Sequence, residues 1–104
     1  MSDEQELARK HLDLLVEMKT SREIARFLES EGVQGVKKIP QICAISAWLT
    51  DKVSGITVNT MYSGVRVREL KGLDGFRIPS TPAMNTFLHA FDRGQYPKLV
   101  KEVP

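Results

Sequence analysis

The clearest change of pattern in the chain occurs at residues 56–69, which read ITVNTMYSGVRVRE. Apolar and polar side chains alternate on both sides of Ser63-Gly64, a dipeptide typical of tight turns. This period of two predicts a β-hairpin with one apolar and one polar face. Because a two-stranded hairpin is not stable alone, its apolar face must pack on helices. The residues that we expect to make this contact are Ile56, Val58, Val65 and Val67.

Helical spacing of apolar residues predicts three helices before the hairpin. Two of them begin at capping boxes, which start at Ser2 and Thr20. The third is predicted over residues 40–53, since Pro40 suits a first helical turn. Its apolar positions are Ile42, Ile45, Trp48, Leu49 and Val53. On the first helix, which runs to about Lys19, the expected buried positions include Leu7, Leu14, Leu15 and Met18.

After the hairpin, residues 71–79 are rich in glycine and predict a loop, with Phe76 and Ile78 inserted into the core. Thr81-Pro82 predicts the start of a last helix, and Gly94 its end. The chain is therefore predicted to be a single α+β domain over residues 1–104. Its three N-terminal helices, β-hairpin and C-terminal helix pack together in that domain.

Composition places the chain among ordinary globular proteins. It has 104 residues, of which 41% are apolar and 27% charged. No apolar run approaches the roughly 18 residues of a membrane span, and the acidic start differs from a signal peptide, so we expect a cytoplasmic protein without membrane contact. Residues 1–31 hold five Lys/Arg against eight Asp/Glu, whereas residues 32–104 hold ten against five. The basic surplus permits contact with phosphates or with an acidic protein surface.

Residues suited to catalysis are scattered. The single cysteine, Cys43, lies among apolar neighbours, which favours a core thiol over a nucleophile. His11 and His89 fall on different predicted helices, and neither is near further metal ligands in the sequence. We therefore expect no catalytic residue, no metal site and no cofactor.

Interface chemistry concentrates at the hairpin, where aromatic, methionine and arginine side chains occur together. This favours a small non-catalytic binding or regulatory protein that acts on another protein through a surface including the hairpin. Tyr62 is the expected anchor, and Arg66 and Arg68 are the expected charged rim. The full set of partner-binding candidates is Tyr62, Met61, Arg66, Arg68 and Tyr96. The sequence leaves the identity of the partner open, and an exposed hairpin edge leaves a homodimer open.

Residues 20–28 resemble the first helix of a helix-turn-helix, which gives an alternative function. In that alternative the protein is a winged-helix-like binder of double-stranded DNA, with residues 40–53 as the recognition helix and the 56–69 hairpin as the wing. Two features oppose it: eight residues separate the second and third helices, and the third has no arginine. The candidate nucleic-acid contacts are Lys37, Lys38, Lys52, Arg66, Arg68 and Arg77.

A weaker resemblance covers most of the chain at scattered positions. They are residues 24–28, 31–33, 43–45, 48–49, the hairpin valines, Phe87 and residues 91–100. In these positions the chain resembles small uncharacterised proteins of actinobacteria and their phages. The resemblance implies a compact domain in a phage or host regulatory setting and transfers no functional residue.

Overall fold

The computed structural model describes residues 3–72 and 74–101. Its helices are α1 (Asp3–Val16), α2 (Ser21–Ser30), α3 (Ala44–Lys52) and α4 (Pro82–Asp92), followed by a 3-10 turn at Pro97–Leu99. Its strands are β1 (Ile56–Met61), β2 (Gly64–Glu69) and β3 (Gly75–Pro79). The strands form an antiparallel sheet in the order β1-β2-β3. The predicted α+β class is confirmed, and the helices and one face of the sheet share a single hydrophobic core.

Capping at two helix starts follows the sequence signals. Thr20 Oγ1 accepts a hydrogen bond from the backbone N–H of Glu23 at 3.1 Å, and Thr81 Oγ1 accepts one from Met84 at 3.1 Å. Each bond satisfies an amide that has no partner inside its helix. The capping box predicted at Ser2 lies outside the described residues.

The third helix is shorter than its predicted range of 40–53. It begins at Ala44, and residues 40–43 form turns instead. The Pro40 carbonyl shows why, because it accepts from the Thr60 backbone N–H at 3.0 Å and from Ser46 Oγ at 2.6 Å. Residue 40 is thus tied to β1 and to a side chain, rather than starting a helical ladder.

A third strand replaces part of the loop predicted at residues 71–79. β3 pairs with β2 so that Phe76 lies opposite Val67 and Ile78 opposite Val65. Ile78 is buried, as expected, and Phe76 is half-buried under the Arg9 guanidinium, which lies 4.6 Å from the ring centroid. The pairing makes β2 the central strand, so the predicted hairpin is two-thirds of a three-stranded sheet.

Helix α1 is rotated relative to its predicted orientation. Leu7 and Leu14 are 43% and 47% exposed, although both were expected in the core. Gln5 takes part in the buried stripe because its side-chain amide donates to Glu69 Oε1 at 3.0 Å. The buried side of α1 consists of Gln5, Ala8, Leu12 and Leu15.

The two faces of the sheet have different environments. The inner face packs on α1 and α3, and its expected core residues Ile56, Val58, Val65 and Val67 are all buried. Side chains of the other parity point outward, and there Thr57, Arg66, Arg68 and Arg77 are exposed. The sheet therefore has an apolar inner face and an open, polar outer face.

Candidate functional site

A groove of about 410 Å³ lies beside the tip of the β1–β2 hairpin. We call it the hairpin-tip groove. Three parts of the chain form it: the segment before α3, the end of β1 with its turn, and the last turns of α4. The lining residues are Lys38, Ile39, Pro40, Cys43, Thr60, Met61, Tyr62, Ser63, Leu88 and Asp92. Concave sites of this size with mostly apolar walls are typical ligand sites.

Buried hydroxyls fix one wall of the groove to the sheet. Ser46 Oγ donates to the Pro40 carbonyl at 2.6 Å and lies 2.8 Å from Thr60 Oγ1. Ser46 gives its only proton to Pro40, so the Thr60 hydroxyl donates to Ser46. Both hydroxyls are buried, and the closed network holds the segment before α3 against the edge strand β1.

Asp92 fixes the opposite wall. The Tyr62 hydroxyl donates to Asp92 Oδ2 at 2.6 Å, and the Lys38 backbone N–H donates to Asp92 Oδ1 at 2.8 Å. Lys38 has a φ of 65°, a left-handed conformation that side chains other than glycine rarely adopt. The Tyr62 ring also stacks on His89, with centroids 4.0 Å apart and planes 5° from parallel. One carboxylate thus joins the hairpin turn, the preceding loop and α4.

The same hydrogen bond changes the chemistry of Tyr62. The hydrogen bond that the Tyr62 hydroxyl donates to the Asp92 carboxylate stabilises the neutral phenol. Together with partial desolvation, it raises the pKa of Tyr62 above its ordinary value of 10.0. The sequence predicts Tyr62 as the anchor of a partner contact. The structure shows it as a fixed wall of the groove that keeps 45% of its surface exposed.

Two exposed apolar side chains line this groove: Ile39 is 41% exposed and Met61 51%. Ile42, which precedes the lining residue Cys43 in the chain, is 45% exposed. Ile39 and Ile42 belong to one turn, which is closed by the hydrogen bond from the Ile42 backbone N–H to the Ile39 carbonyl at 3.1 Å. In the part of the chain that the structure describes, the other large exposed apolar residues are Tyr62, which also lines the groove, and Leu7, Leu14 and Leu70. The groove therefore has an apolar mouth as well as an apolar floor.

The predicted rim arginines lie elsewhere. Register places Arg66 opposite both Asn59 and Arg77, and Arg68 opposite Thr57 and Gly75. These positions share the open face of the sheet, and none of the arginines lines the groove. We call Arg66, Arg68 and Arg77 the arginine face.

No carboxylate neutralises the arginine face within residues 3–72 and 74–101. Glu69 follows the inner-face positions of β2 and accepts a hydrogen bond from Gln5. Arg77 Nη2 donates to the Ser63 carbonyl at 2.7 Å, which orients its guanidinium without neutralising its charge. The face therefore presents three positive charges to solvent.

Other candidate residues are separate from both surfaces. Lys52 forms an ion pair with Glu31 at 3.3 Å, and Lys37 lies beside Gly94 after α4. Tyr96 is half-buried: its hydroxyl lies 2.6 Å from Ser21 Oγ. The Tyr96 ring stacks on Phe87, with centroids 5.4 Å apart. Tyr96 thus belongs to the packing of α2 on α4, and it does not line the groove with Tyr62.

Helix α3 does not offer the exposed surface of a recognition helix. Its first six residues are buried apart from Ala47, and its exposed residues are Thr50, Asp51 and Lys52 in the last turn. Trp48 is fully buried and donates from Nε1 to Glu31 Oε1 at 3.2 Å. A helix packed in this way cannot enter a DNA groove with its middle residues.

Reactive side chains are not assembled into a catalytic arrangement in the described residues. Cys43 is 2% exposed and donates weakly to Ser46 Oγ at 3.7 Å, as expected for a core thiol. His11 lies edge-on to Trp48, and His89 stacks on Tyr62. No cluster of three or more His, Cys, Asp or Glu side chains suited to a metal occurs over 3–72 and 74–101. The absence of enzymatic activity stays a prediction.

Sequence reasoning missed the groove because it missed one wall. The helix predicted from Pro40 placed Ile42 on a buried stripe and left Ile39 in a loop. Asp92 is three residues after His89, a spacing that signals two side chains on one helix face. Nothing local indicates that both would meet Tyr62, which is 30 residues away from Asp92 in the chain.

Comparisons with family models, curated proteins and solved structures find no match for this chain. The resemblance to actinobacterial and phage proteins stays a prediction. Within the described residues, no helix combines the length and the apolar character that crossing a membrane requires.

Proposed function

We propose that this protein is a small, non-catalytic cytoplasmic binding protein that takes an apolar segment of a partner protein into the hairpin-tip groove. The observation that carries the proposal is the apolar groove, which Ile39 and Met61 line while 41% and 51% of their surface stays exposed. Apolar surface around a concave site is a common mark of a protein contact. A regulatory partner fits the phage or host setting that the sequence resemblance implies.

The chemistry of the groove favours an aliphatic or aromatic side chain as its occupant. Both oxygens of Asp92 already accept hydrogen bonds, from Tyr62 and from the Lys38 backbone. The Thr60 hydroxyl is bonded to Ser46. Few polar groups therefore remain to recognise a polar ligand, whereas the apolar walls gain free energy from covering an apolar side chain.

Charge at the rim favours an acidic neighbour for that side chain. Lys38 lines the groove, Lys37 precedes it, and both side chains are exposed. A partner segment with an apolar residue beside Asp or Glu would complement both features. The fixed walls around Tyr62 and Pro40 support binding further, since less conformational freedom is lost when the site is already ordered.

Site-directed photo-crosslinking in the cells that produce the protein tests this proposal. A benzophenone amino acid replaces Met61 in one variant and Leu14 in the other. Leu14 is a matched control because it is similarly exposed, at 47% against 51%, but lies on α1. We expect a discrete adduct with another protein from position 61 and not from position 14.

A second pair of variants links the adduct to the groove. Ile39→Asp places a carboxylate at the mouth and should abolish the adduct from position 61, whereas Leu14→Asp should leave it unchanged. Equal adducts from both positions, no adduct, an adduct with the chain itself, or insensitivity to Ile39→Asp would contradict the proposal.

A further inference from the structure

We propose that the arginine face binds the phosphate backbone of double-stranded DNA, independently of the hairpin-tip groove. This site differs from the winged-helix alternative, because it uses the open face of the three-stranded sheet and not α3. β-Sheets are an established means of reading DNA grooves. The proposal rests on the register, charge and shape of the outer face.

Register concentrates the three charges. Arg66 and Arg68 are two residues apart on β2, which places them about 7 Å apart along the strand. Arg77 lies opposite Arg66 on β3, and adjacent strands are about 4.8 Å apart. The three arginines therefore occupy one small area of the sheet. The distances between their backbone positions are similar to the distance between neighbouring phosphates.

The pairing of Arg66 with Arg77 does not help the fold. Like charges directly opposite each other across two strands are destabilising, and no carboxylate among the described residues offsets this pair. A bound anion would remove the repulsion. Arg77 is also oriented in advance by its hydrogen bond to the Ser63 carbonyl, which reduces the ordering that phosphate binding requires.

Residue chemistry and shape favour duplex DNA among polyanions. Arginine binds phosphate or guanine through two parallel hydrogen bonds. All three arginines lie on the β2–β3 pair, and the major groove of B-DNA, roughly 12 Å wide, admits a ribbon of two strands. The major groove of A-form RNA is too narrow for such a surface.

Charge distribution over the whole molecule adds to this preference. The helices of residues 1–31 carry the acidic excess, and residues 32–104 carry the basic one. α1 and α3 cover the inner face of the sheet, so the acidic α1 lies on the side away from the arginine face. A polyanion approaching the outer face thus meets the positive side of the protein.

Fluorescence anisotropy with a labelled mixed-sequence duplex of 20 base pairs, measured over a series of KCl concentrations, tests the proposal. The test variant is Arg66→Gln/Arg68→Gln/Arg77→Gln. Its matched control is Lys10→Gln/Arg22→Gln/Arg26→Gln, which removes the same charge from exposed positions of α1 and α2. Circular dichroism and thermal unfolding confirm that both variants are folded.

The wild-type protein should show a linear fall of log K against log salt. Each arginine that contacts a phosphate contributes about 0.9 to the slope, so it changes the affinity roughly eightfold for each tenfold change in salt concentration. The test variant should lose about 2.7 of the slope. The control variant should keep the slope of the wild type.

Several results would overturn the proposal. One is the absence of DNA binding by the wild-type protein at 50 mM KCl. Another is an equal loss in the test and control variants, which would indicate diffuse charge only. Equal affinity for duplex RNA or single-stranded DNA of the same sequence would indicate a general polyanion site instead.

Discussion

The hairpin-tip groove lies at the end of β1 and its turn, and the arginine face lies on β2 and β3 of the same sheet, but different forces hold their residues in place. In the groove, polar groups are engaged in long-range hydrogen bonds and the apolar side chains are exposed. On the arginine face, the strand register sets the positions, one hydrogen bond orients Arg77, and the charges remain unneutralised by the described residues. The groove should therefore be sensitive to changes in its supporting residues, whereas the arginine face should change only with its own side chains.

The largest effect is expected where the groove depends on a buried hydroxyl. Ser46→Ala removes one of the two hydrogen bonds to the Pro40 carbonyl and leaves the buried Thr60 hydroxyl without its acceptor, so it should lower the free energy of unfolding by about 2–3 kcal/mol. Urea denaturation measures this change. The control is Ser30→Ala, because the Ser30 hydroxyl donates to the Phe27 carbonyl at an exposed site. This change should lower the free energy of unfolding by less than about 0.5 kcal/mol. Equal effects of the two changes would contradict the buried network.

A smaller effect on stability is expected from the exposed hydrogen bond between Tyr62 and Asp92. Tyr62→Phe removes the hydrogen bond to Asp92 and should cost about 1 kcal/mol while the ring still stacks on His89. Because the folded state raises the pKa of Tyr62, this stabilisation is complete below the unfolded pKa and disappears as the pH rises through the folded one.

The pH dependence separates Tyr62 from the other tyrosine. Chemical denaturation from neutral pH to above pH 10 should show the wild-type protein approaching Tyr62→Phe in stability at the alkaline end. Tyr96→Phe serves as the control and should not remove the alkaline difference. A stability gap between wild type and Tyr62→Phe that stays constant with pH would refute the bond to Asp92.

A modest gain in stability is expected on the arginine face. Arg66→Thr removes the like-charge pair with Arg77 and should raise the free energy of unfolding by about 0.2–1 kcal/mol at low salt. The gain should shrink at 1 M salt because the repulsion is screened. Arg68→Thr is the control, since Arg68 lies opposite Thr57 and Gly75, which carry no charge. A loss of stability in Arg66→Thr, or equal gains in both variants, would show that the pair carries no strain.

The smallest effect is expected at Lys52, whose charge is already paired. The hydrogen bond from Trp48 and the contact with Lys52 lower the pKa of Glu31, so Glu31 stabilises the fold above its unfolded pKa and loses this role as the pH falls.

Lys52→Gln should change the salt slope of DNA binding by less than the loss of a single arginine of the arginine face does. Anisotropy under the same conditions checks this, and a change as large as that of Arg68→Gln would put α3 back into the DNA-binding surface.

Local pattern was sufficient for much of the fold. The caps at Thr20 and Thr81 and the inner valines of the hairpin all follow from rules that act over a few residues. β3 was not predicted, because its alternation of apolar and polar residues is limited to Phe76-Arg77-Ile78 between a glycine and a proline. The start of α3 was predicted too early, because the carbonyl of Pro40 accepts a hydrogen bond from the Thr60 backbone N–H, a partner that no local pattern indicates.

The two candidate surfaces differ in the same way. The alternation of residues alone assigns Arg66 and Arg68 to one face. Arg77 shares that face because β3 pairs with β2, which the sequence does not predict. The groove needed contacts between Tyr62, Asp92 and Lys38, which are far apart in the chain. Leu7 and Leu14 show a related limit, since helical spacing identifies a stripe but not which of two adjacent stripes the sheet covers.

The most direct test of two separate surfaces on one sheet is a titration of the ¹⁵N-labelled protein with duplex DNA, followed by amide chemical shifts. The account predicts saturable shifts at residues 57–59, 66–68 and 75–77, with the amides of residues 38–39 and 41–43 and of Leu88 unchanged. Shifts centred on the groove or on α3, or spread evenly over the basic residues, would contradict it.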